Sequence, residues 1–139
     1  MTDVRTANDA GHPIPASIDP SKLLLVEDDP AVRRSLQLLL RGRGYNVRAY
    51  ADGRQMLDDP AAIDAACLIT DYRMTSLNGI DLLRDLRARG WQRPAILITG
   101  FHGAALASAA HDAGFDVVLE KPLQDQALMT IIQRKAPLD

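Results

Sequence analysis

The sequence is poor in cysteine, in long hydrophobic runs and in excess charge of either sign. Its 139 residues contain one cysteine, Cys67, so no internal disulfide can form, and its place in an apolar run favours a core thiol over a reactive one. No apolar stretch reaches membrane-spanning length, and the first residues lack the basic start and apolar centre of a signal peptide. The net charge of -2 does not suit a nucleic-acid or membrane-surface binder. These absences predict a cytoplasmic protein.

The first 20 residues contain few large apolar side chains and include Pro13, Pro15 and Pro20. Such a segment cannot bury enough surface to offset the entropy lost when it is ordered. We therefore predict a flexible tail over residues 1–20. The remaining residues, 21–139, are enough for one domain with a single fold.

Five short apolar segments alternate with five segments of helical periodicity. The predicted strands are 23–26, 45–50, 67–71, 95–99 and 117–119, and the predicted helices are about 30–41, 55–57, 79–89, 103–113 and 124–134. In the third helix the spacing places Arg84, Arg87 and Arg89 towards solvent. Continuous apolar strands alternating with helices are typical of an α/β fold, in which a parallel sheet has helices on both faces.

Polar side chains stand where four of these strands end: Glu27 and Asp28, then Asp71, Thr99 and Lys121. The carboxyl ends of parallel strands share one edge, where an open α/β sheet binds its ligands. Three carboxylates at that edge would repel one another, and one divalent cation with one lysine would balance them. Oxygen donors suit Mg²⁺. A carboxylate beside a metal, an ammonium and a hydroxyl suits the acceptance of a phosphoryl group, with Asp71 as nucleophile.

Each of these residues, taken alone, has an ordinary structural explanation. Glu27 and Asp28 could form a solvated acidic cluster at a helix start. Thr99 could be a turn residue at the end of a strand, and Lys121 could be a surface lysine. The third acid of the first group, Asp29, precedes a proline, which favours a role as N-cap over metal ligation.

Five separated motifs, in this order, resemble those of the receiver domain of bacterial two-component response regulators. They are Leu-Val-Glu-Asp-Asp-Pro (25–30), Ile-Thr-Asp-Tyr-Arg-Met (69–74), Asn-Gly (78–79), Ile-Thr-Gly (98–100) and Glu-Lys-Pro (120–122). The resemblance covers about residues 22–134. It implies the flavodoxin-like, doubly wound fold of the chemotaxis regulators: five parallel strands in the order 2-1-3-4-5, with helices on both faces.

The resemblance also implies how phosphate would be received. Asp71 would accept a phosphoryl group from a histidine of a sensor kinase or of a histidine phosphotransfer protein. Thr99 would be the hydroxyl that moves to bond the phosphate, and Lys121 would pair with phosphate or carboxylate. The peptide bond between Lys121 and Pro122 would be cis. The protein would act as a signalling regulator and not as an enzyme.

A magnesium site is implied by the same resemblance. Asp28 and Asp71 would bind Mg²⁺ directly, the backbone carbonyl of Arg73 would add a ligand, and Glu27 would act through a water molecule. A small aspartate-nucleophile phosphatase of the haloacid dehalogenase type would also use such a site. That alternative is disfavoured because Arg73 stands where those enzymes place a second aspartate.

Two positions depart from the family pattern. Thr75 stands where proline is usual, and Val118 stands where the last strand usually carries Tyr or Phe. The second departure removes an aromatic that swings inward with the switch hydroxyl, and Tyr72 and Phe101 are the candidates to replace it. A degenerate receiver that binds partners without phosphate is therefore a further alternative, against which the complete set of acids, threonine and lysine argues.

Signal output would follow the route used in the family. The expected binding face for an effector comprises the alanine-rich helix near 103–113, the strand at Val117 and the last helix. Too few residues follow Arg134 for a DNA-binding or catalytic domain, so we expect a stand-alone regulator or an excised domain. A homodimer stabilised by phosphorylation is a further expected assembly.

Overall fold

The structure is a computed structural model, and it describes residues 17–100 and 103–138. Within these residues five parallel strands form one sheet, and five α-helices pack against it. The strands are β1 (Asp19–Val26), β2 (Asn46–Tyr50), β3 (Ala65–Asp71), β4 (Ala95–Thr99) and β5 (Val117–Glu120). The helices are α1 (Pro30–Gly42), α2 (Gly53–Leu57), α3 (Gly79–Ala88), α4 (Ala104–Ala113) and α5 (Asp125–Lys135), and a 3₁₀ turn covers Pro60–Ala62.

The strand order is β2-β1-β3-β4-β5, which confirms the predicted topology. Every residue of β3, the central strand, is buried, and this explains its uninterrupted apolar sequence. The order changes direction between β1 and β3, and in such sheets the crevice at the carboxyl ends of the strands lies at this switch point. The fold therefore brings the ends of β1 and β3 together, with the end of β4 beside them.

The sheet begins earlier than the sequence indicates. β1 starts at Asp19, so the last two residues of the predicted tail belong to a strand. The backbone N–H of Asp19 donates to the carbonyl of Asp64 at 2.8 Å, and Asp19 pairs with Ala65. The backbone hydrogen bond of Asp19 thus extends β1 by two residues whose side chains carry no strand signal. Residues 1–16 of the predicted tail lie outside the described residues.

Two hydrophobic cores lie on opposite faces of the sheet. One is covered by α2, α3 and α4, and the other by α1 and α5. Burial of one large apolar side chain contributes about 1.5–3 kcal/mol, so these cores supply the main stabilisation of the fold. Cys67 is fully buried in the core under α1 and α5, and burial raises the pKa of its thiol to about 12. The predicted core role of Cys67 is confirmed.

The prediction that Arg87 faces solvent is wrong. Its guanidinium donates to the carbonyls of Trp91 at 3.0 Å, Arg93 at 2.8 Å and Gly114 at 3.0 Å, and it lies 5.3 Å from the centre of the Trp91 ring. Helical spacing predicts only which face of the helix a side chain leaves from. A long cationic side chain on the solvent face can still bend back to backbone carbonyls near a helix end, as Arg87 does. Arg87 therefore joins the end of α3 to the end of α4.

Glycine at position 79 allows α3 to begin directly beside the end of β3. A Cβ atom there would lie 2.6 Å from the carbonyl oxygen of Asp71 and 2.9 Å from Cδ1 of Leu97. The preceding residue, Asn78, caps the helix by accepting the N–H of Asp81 at 2.9 Å. The Asn78-Gly79 motif thus fixes the path of the chain after Asp71.

Substitution Gly79→Ala is expected to lower the free energy of unfolding by about 1–3 kcal/mol. The new methyl group would clash with the carbonyl oxygen of Asp71 and with Cδ1 of Leu97, and the backbone oxygen cannot move without disturbing β3. Urea unfolding followed by circular dichroism measures this change. Gly42→Ala is the matched control, since nothing lies within 4 Å of a Cβ atom at that helical position. It should raise stability by less than about 1 kcal/mol, because Gly42 is the last residue of α1 and only helix propensity changes. Equal effects of the two substitutions would contradict the steric explanation.

Candidate functional site

Four of the predicted site residues meet at the carboxyl edge of the sheet. One carboxylate oxygen from each of Glu27, Asp28 and Asp71 lies within 4.8 Å of the other two. The Nζ atom of Lys121 lies 2.7 Å from Oδ2 of Asp71 and 3.7 Å from Oε1 of Glu27. The structure therefore brings three acids and one ammonium into a single cluster.

Asp71 is held at the centre of this cluster by the last backbone contacts of β3. The N–H of the next residue, Tyr72, donates to the carbonyl of Ile98 at 2.8 Å, and the carbonyl of Tyr72 accepts the N–H of Gly79 at 2.9 Å. The backbone on both sides of the loop is thereby tied to β4 and α3. Only 6% of the surface of Asp71 is exposed, so its carboxylate is fixed and largely desolvated.

The two acids after β1 have different environments. Glu27 is buried, and its Oε2 accepts the backbone N–H of Asp29 at 3.1 Å, whereas Asp28 is exposed. The side chain of Asp29 turns away from the cluster and accepts the N–H groups of Ala31 and Val32 at the start of α1, at 2.9 and 3.3 Å. The predicted N-cap role of Asp29 is confirmed, and two acids of this group remain for the site.

The charged groups of the cluster shift the pKa values of Glu27 and Lys121. Burial raises the pKa of Glu27 to about 7, with the N–H of Asp29 opposing this effect and the charge of Asp71 adding to it. Burial acts to lower the pKa of the Lys121 ammonium, but its hydrogen bond to Asp71 and the charges of Glu27 and Asp28 outweigh burial and raise it. The Lys121 ammonium therefore stays charged at neutral pH. Its single positive charge does not balance the three acids.

A cavity of about 280 Å³ opens beside this cluster. It is lined by Asp71, Arg73, Thr99, Gly100 and Lys121. Thr99 is almost completely buried, and its carbonyl accepts the N–H of Lys121 at 2.8 Å, so the ends of β4 and β5 are joined at the cavity wall. With about 30 Å³ for each water molecule in the liquid, the cavity has room for a phosphoryl group and several waters.

The acidic cluster fits a magnesium ion. Mg²⁺ prefers oxygen ligands, and each of the three carboxylates offers one oxygen within 4.8 Å of the other two, so the oxygens surround a space of the size that one ion needs. Asp28 and Asp71 are the direct ligands that the family resemblance implies, and buried Glu27 suits a contact through water. The loop after β3 begins at Tyr72 and contains Arg73, whose carbonyl completes the predicted set.

A second cavity, of about 430 Å³, was not indicated by the sequence. It lies between α1 and the loop before α5, and its walls include Val32, Leu36, Pro122 and Leu123 together with Glu27 and Lys121. Sequence analysis could not find it, because it forms between elements that lie far apart in the chain. The peptide bond between Lys121 and Pro122 beside it is cis, as predicted.

Two of the three residues in the expectation about the missing aromatic side chain lie in the described part of the chain. Val118 and Tyr72 are both half-buried and pack against the core under α2, α3 and α4. Phe101, the other candidate to replace the missing aromatic, lies outside the described residues. None of the helices in the described part of the chain is long and apolar enough to cross a membrane.

Solved structures share this fold. One is the chemotaxis protein CheY4 from Vibrio cholerae, which is 24% identical in sequence and superposes with a TM-score of 0.77. The match covers 83% of this chain and 98% of CheY4. Another is full-length FixJ from B. japonicum, which is 32% identical and superposes with a TM-score of 0.75. That match covers 83% of this chain and 57% of FixJ. These similarities define the fold as flavodoxin-like, with five parallel strands in the order 2-1-3-4-5.

The family follows from the sequence. The response regulator receiver domain family matches residues 23–133, and the chain therefore belongs to that family. It is 36% identical over 109 residues to the transcriptional regulatory protein FixJ of Azorhizobium caulinodans, which corresponds to 78% of this chain and 52% of that protein. The chain thus spans about half the length of the curated relatives it matches.

Membership gives the general activity. Receiver domains are phospho-accepting regulators of two-component signalling and are generally not classed as enzymes. They generally bind Mg²⁺ at an acidic cluster, and they interact with histidine kinases and effector domains.

Addition of Mg²⁺ should stabilise the protein. At about 100 times the dissociation constant, binding to the folded state alone raises the free energy of unfolding by roughly 2.7 kcal/mol. Asp28→Asn should remove most of this increase, because it takes one carboxylate from the cluster. Urea unfolding with and without Mg²⁺, against a sodium control of equal ionic strength, measures the effect.

Asp29→Asn is the matched control for the Mg²⁺ experiment. Asparagine caps a helix as well as aspartate does, and Asp29 lies outside the cluster. This variant should respond to Mg²⁺ like the unsubstituted protein. An Asp28→Asn variant that keeps the full response would exclude Asp28 as a ligand.

Proposed function

We propose that Asp71 is the phospho-acceptor of this receiver domain, and that it takes its phosphoryl group from a phosphohistidine of a sensor kinase or a histidine phosphotransfer protein. One observation carries the proposal. Of the three clustered acids in the described part of the chain, Asp71 alone both contacts the Lys121 ammonium and lines the cavity. A donor entering the cavity would meet this carboxylate first.

The transfer is a substitution at phosphorus. A carboxylate oxygen of Asp71 forms the new P–O bond while the P–N bond of the phosphohistidine breaks, and the electron pair of that bond returns to the imidazole nitrogen. With acetyl phosphate as donor, a P–O bond breaks instead and acetate leaves. Lys121 contributes by placing positive charge beside the oxygens on which negative charge collects.

Asp28, Asp71 and the carbonyl of Arg73 would hold Mg²⁺ in this proposal, with Glu27 acting through a water molecule. When bound, Mg²⁺ supplies two positive charges beside the transferred oxygens. The protein groups do the rest: the cluster fixes Asp71, and burial limits the access of water to it.

The proposed switch is Thr99, whose hydroxyl would bond the phosphoryl oxygens. A movement of this residue would pass to β5 through the hydrogen bond between the Thr99 carbonyl and the N–H of Lys121. The proposed effector surface comprises α4, β5 and α5, and it could also serve a phosphate-stabilised homodimer. Since acetyl phosphate and the ATP that charges the kinase are cytoplasmic, the cytoplasm is the proposed compartment.

Asp71→Asn should abolish phosphorylation while the protein stays folded, because asparagine has nearly the same shape but an amide that does not attack phosphorus. The measurement is intact mass after incubation with acetyl phosphate, with and without Mg²⁺. The unsubstituted protein should gain one phosphoryl group in the presence of Mg²⁺, and Asp29→Asn, which keeps the cluster intact, should gain it too. A full mass gain in Asp71→Asn would refute the assignment.

Thr99→Ala should still accept a phosphoryl group but should no longer transmit its presence to α4 and β5. Hydrogen exchange followed by mass spectrometry, with beryllium fluoride as phosphoryl mimic, measures the change in protection over residues 104–120. We expect this change to fall at least threefold in Thr99→Ala and to persist in Thr99→Ser, which keeps the hydroxyl. Equal changes in Thr99→Ala and the unsubstituted protein would show that another residue is the switch.

A further inference from the structure

We propose that Thr70 is a positioning residue for the magnesium site, and that its buried hydroxyl holds the loop after β3 so that the carbonyl of Arg73 is fixed before the ion binds. The inference rests on the proposed role of that carbonyl as a metal ligand. It assigns a function to the residue before the acceptor, which is not one of the clustered acids and does not line the cavity beside them.

Thr70 is a polar residue at the end of an otherwise apolar run in β3. Its side chain is completely buried, and its Cγ2 atom lies 3.2 Å from the position that a Cβ atom of Gly79 would take, on the side of the sheet that α3 covers. A buried hydroxyl costs free energy unless it is hydrogen-bonded. Valine would fill the same space without this cost, so the contacts of the hydroxyl must explain why threonine stands here.

The Thr70 hydroxyl contacts two acceptors in the chain that leaves the strand. Its Oγ1 atom lies 3.0 Å from the carbonyl oxygen of Asp71 and 3.8 Å from Sδ of Met74. A hydroxyl donates one proton, so the two acceptors share it. The two contacts lie on either side of Arg73 in the sequence, and together they join the start of the loop to its middle.

The loop has a particular need for such a restraint on the far side of Arg73. On the near side, backbone hydrogen bonds hold Tyr72. On the far side, Thr75 stands where the family usually has a proline, so the backbone angle that proline would fix is left free. Met74 lies between them and packs against the core under α2, α3 and α4. Its contact with Thr70 therefore restrains the segment that carries the proposed carbonyl ligand.

A ligand that is fixed before the metal arrives binds it more tightly, because less motion is lost on binding. Loss of the Thr70 hydroxyl should therefore loosen the loop in the metal-free protein and weaken Mg²⁺ binding. A purely structural role of Thr70 would instead destabilise β3 together with the strands on both sides of it.

Thr70→Val tests the proposal, since valine has nearly the same shape as threonine but no hydroxyl. Hydrogen exchange of the metal-free protein, followed by mass spectrometry, should become about threefold faster over residues 72–79 and stay unchanged in β1 and β4. Calorimetric titration with magnesium chloride should show an affinity about threefold lower, a modest factor because sulfur is a weak acceptor. Thr70→Ser, which keeps the hydroxyl, should retain most of the affinity. Thr130→Val, at an exposed position of α5, is the matched control and should change neither measurement.

Met74→Leu tests the other partner of the contact, because leucine keeps the approximate size of methionine and lacks the sulfur. This variant should lose Mg²⁺ affinity by a similar factor. Combining it with Thr70→Val should cause little further loss, since both substitutions break the same contact. Met129→Leu, in the core under α1 and α5, is the matched control and should bind Mg²⁺ like the unsubstituted protein.

Unchanged loop exchange or unchanged Mg²⁺ affinity in Thr70→Val would overturn the proposal, as would equally faster exchange throughout the sheet. Full additivity of Thr70→Val and Met74→Leu would also overturn it, because the hydroxyl would then act without the sulfur. The metal site itself is checked separately by Mg²⁺ binding to the unsubstituted protein and its loss in Asp28→Asn. Failure of the unsubstituted protein to bind Mg²⁺ would remove the proposed site and this inference with it. Normal binding there, together with an unaffected Thr70→Val, would refute the role of Thr70 alone.

Discussion

The mutual repulsion of three carboxylates is the physical constraint on which the candidate site depends. Glu27, Asp28 and Asp71 follow or end adjacent parallel strands, and the sheet therefore holds their backbones close together. Lys121 offsets part of the repulsion through contacts to two of them. The remaining imbalance appears in Glu27, whose pKa is raised to about 7 because burial and Asp71 both disfavour its charge. A site in this condition attracts a divalent cation.

The rest of the fold supplies the rigidity that this imbalance requires. Buried apolar side chains on both faces of the sheet fix β1, β3 and β4, so the acids cannot relax by moving the backbone. Gly79 contributes locally, because its missing side chain lets α3 close directly over the carbonyl of Asp71. The repulsion between the carboxylates is therefore confined to the carboxyl edge of the sheet, where a bound cation can offset it.

Sequence reasoning located the elements and predicted which side chains meet at the carboxyl edge of the sheet, for physical reasons that differ between them. The uninterrupted apolar runs of β3 and β4 follow from burial on both faces, and the helix start at Pro30 follows from the cap at Asp29. The strand order needed the family resemblance, because periodicity carries no information on which strands are neighbours. Arg87 was misplaced, and the cavities went unseen, because both depend on contacts between distant segments.

The contacts of Arg87 also have a mechanical consequence. They hold the last turn of α4 against α3, while Gly103 at the other end of α4 provides no side-chain cap. The hydrogen bond from Arg87 restrains the end of α4 near Gly114, so any rotation of the helix about that end would move its first turn most. Its ten residues span about 15 Å, so a rotation of about 10° displaces the first turn by about 2.5 Å and the last turn hardly at all. A rotation of this kind would therefore be largest at the end of α4 that is nearest to Thr99 in the chain.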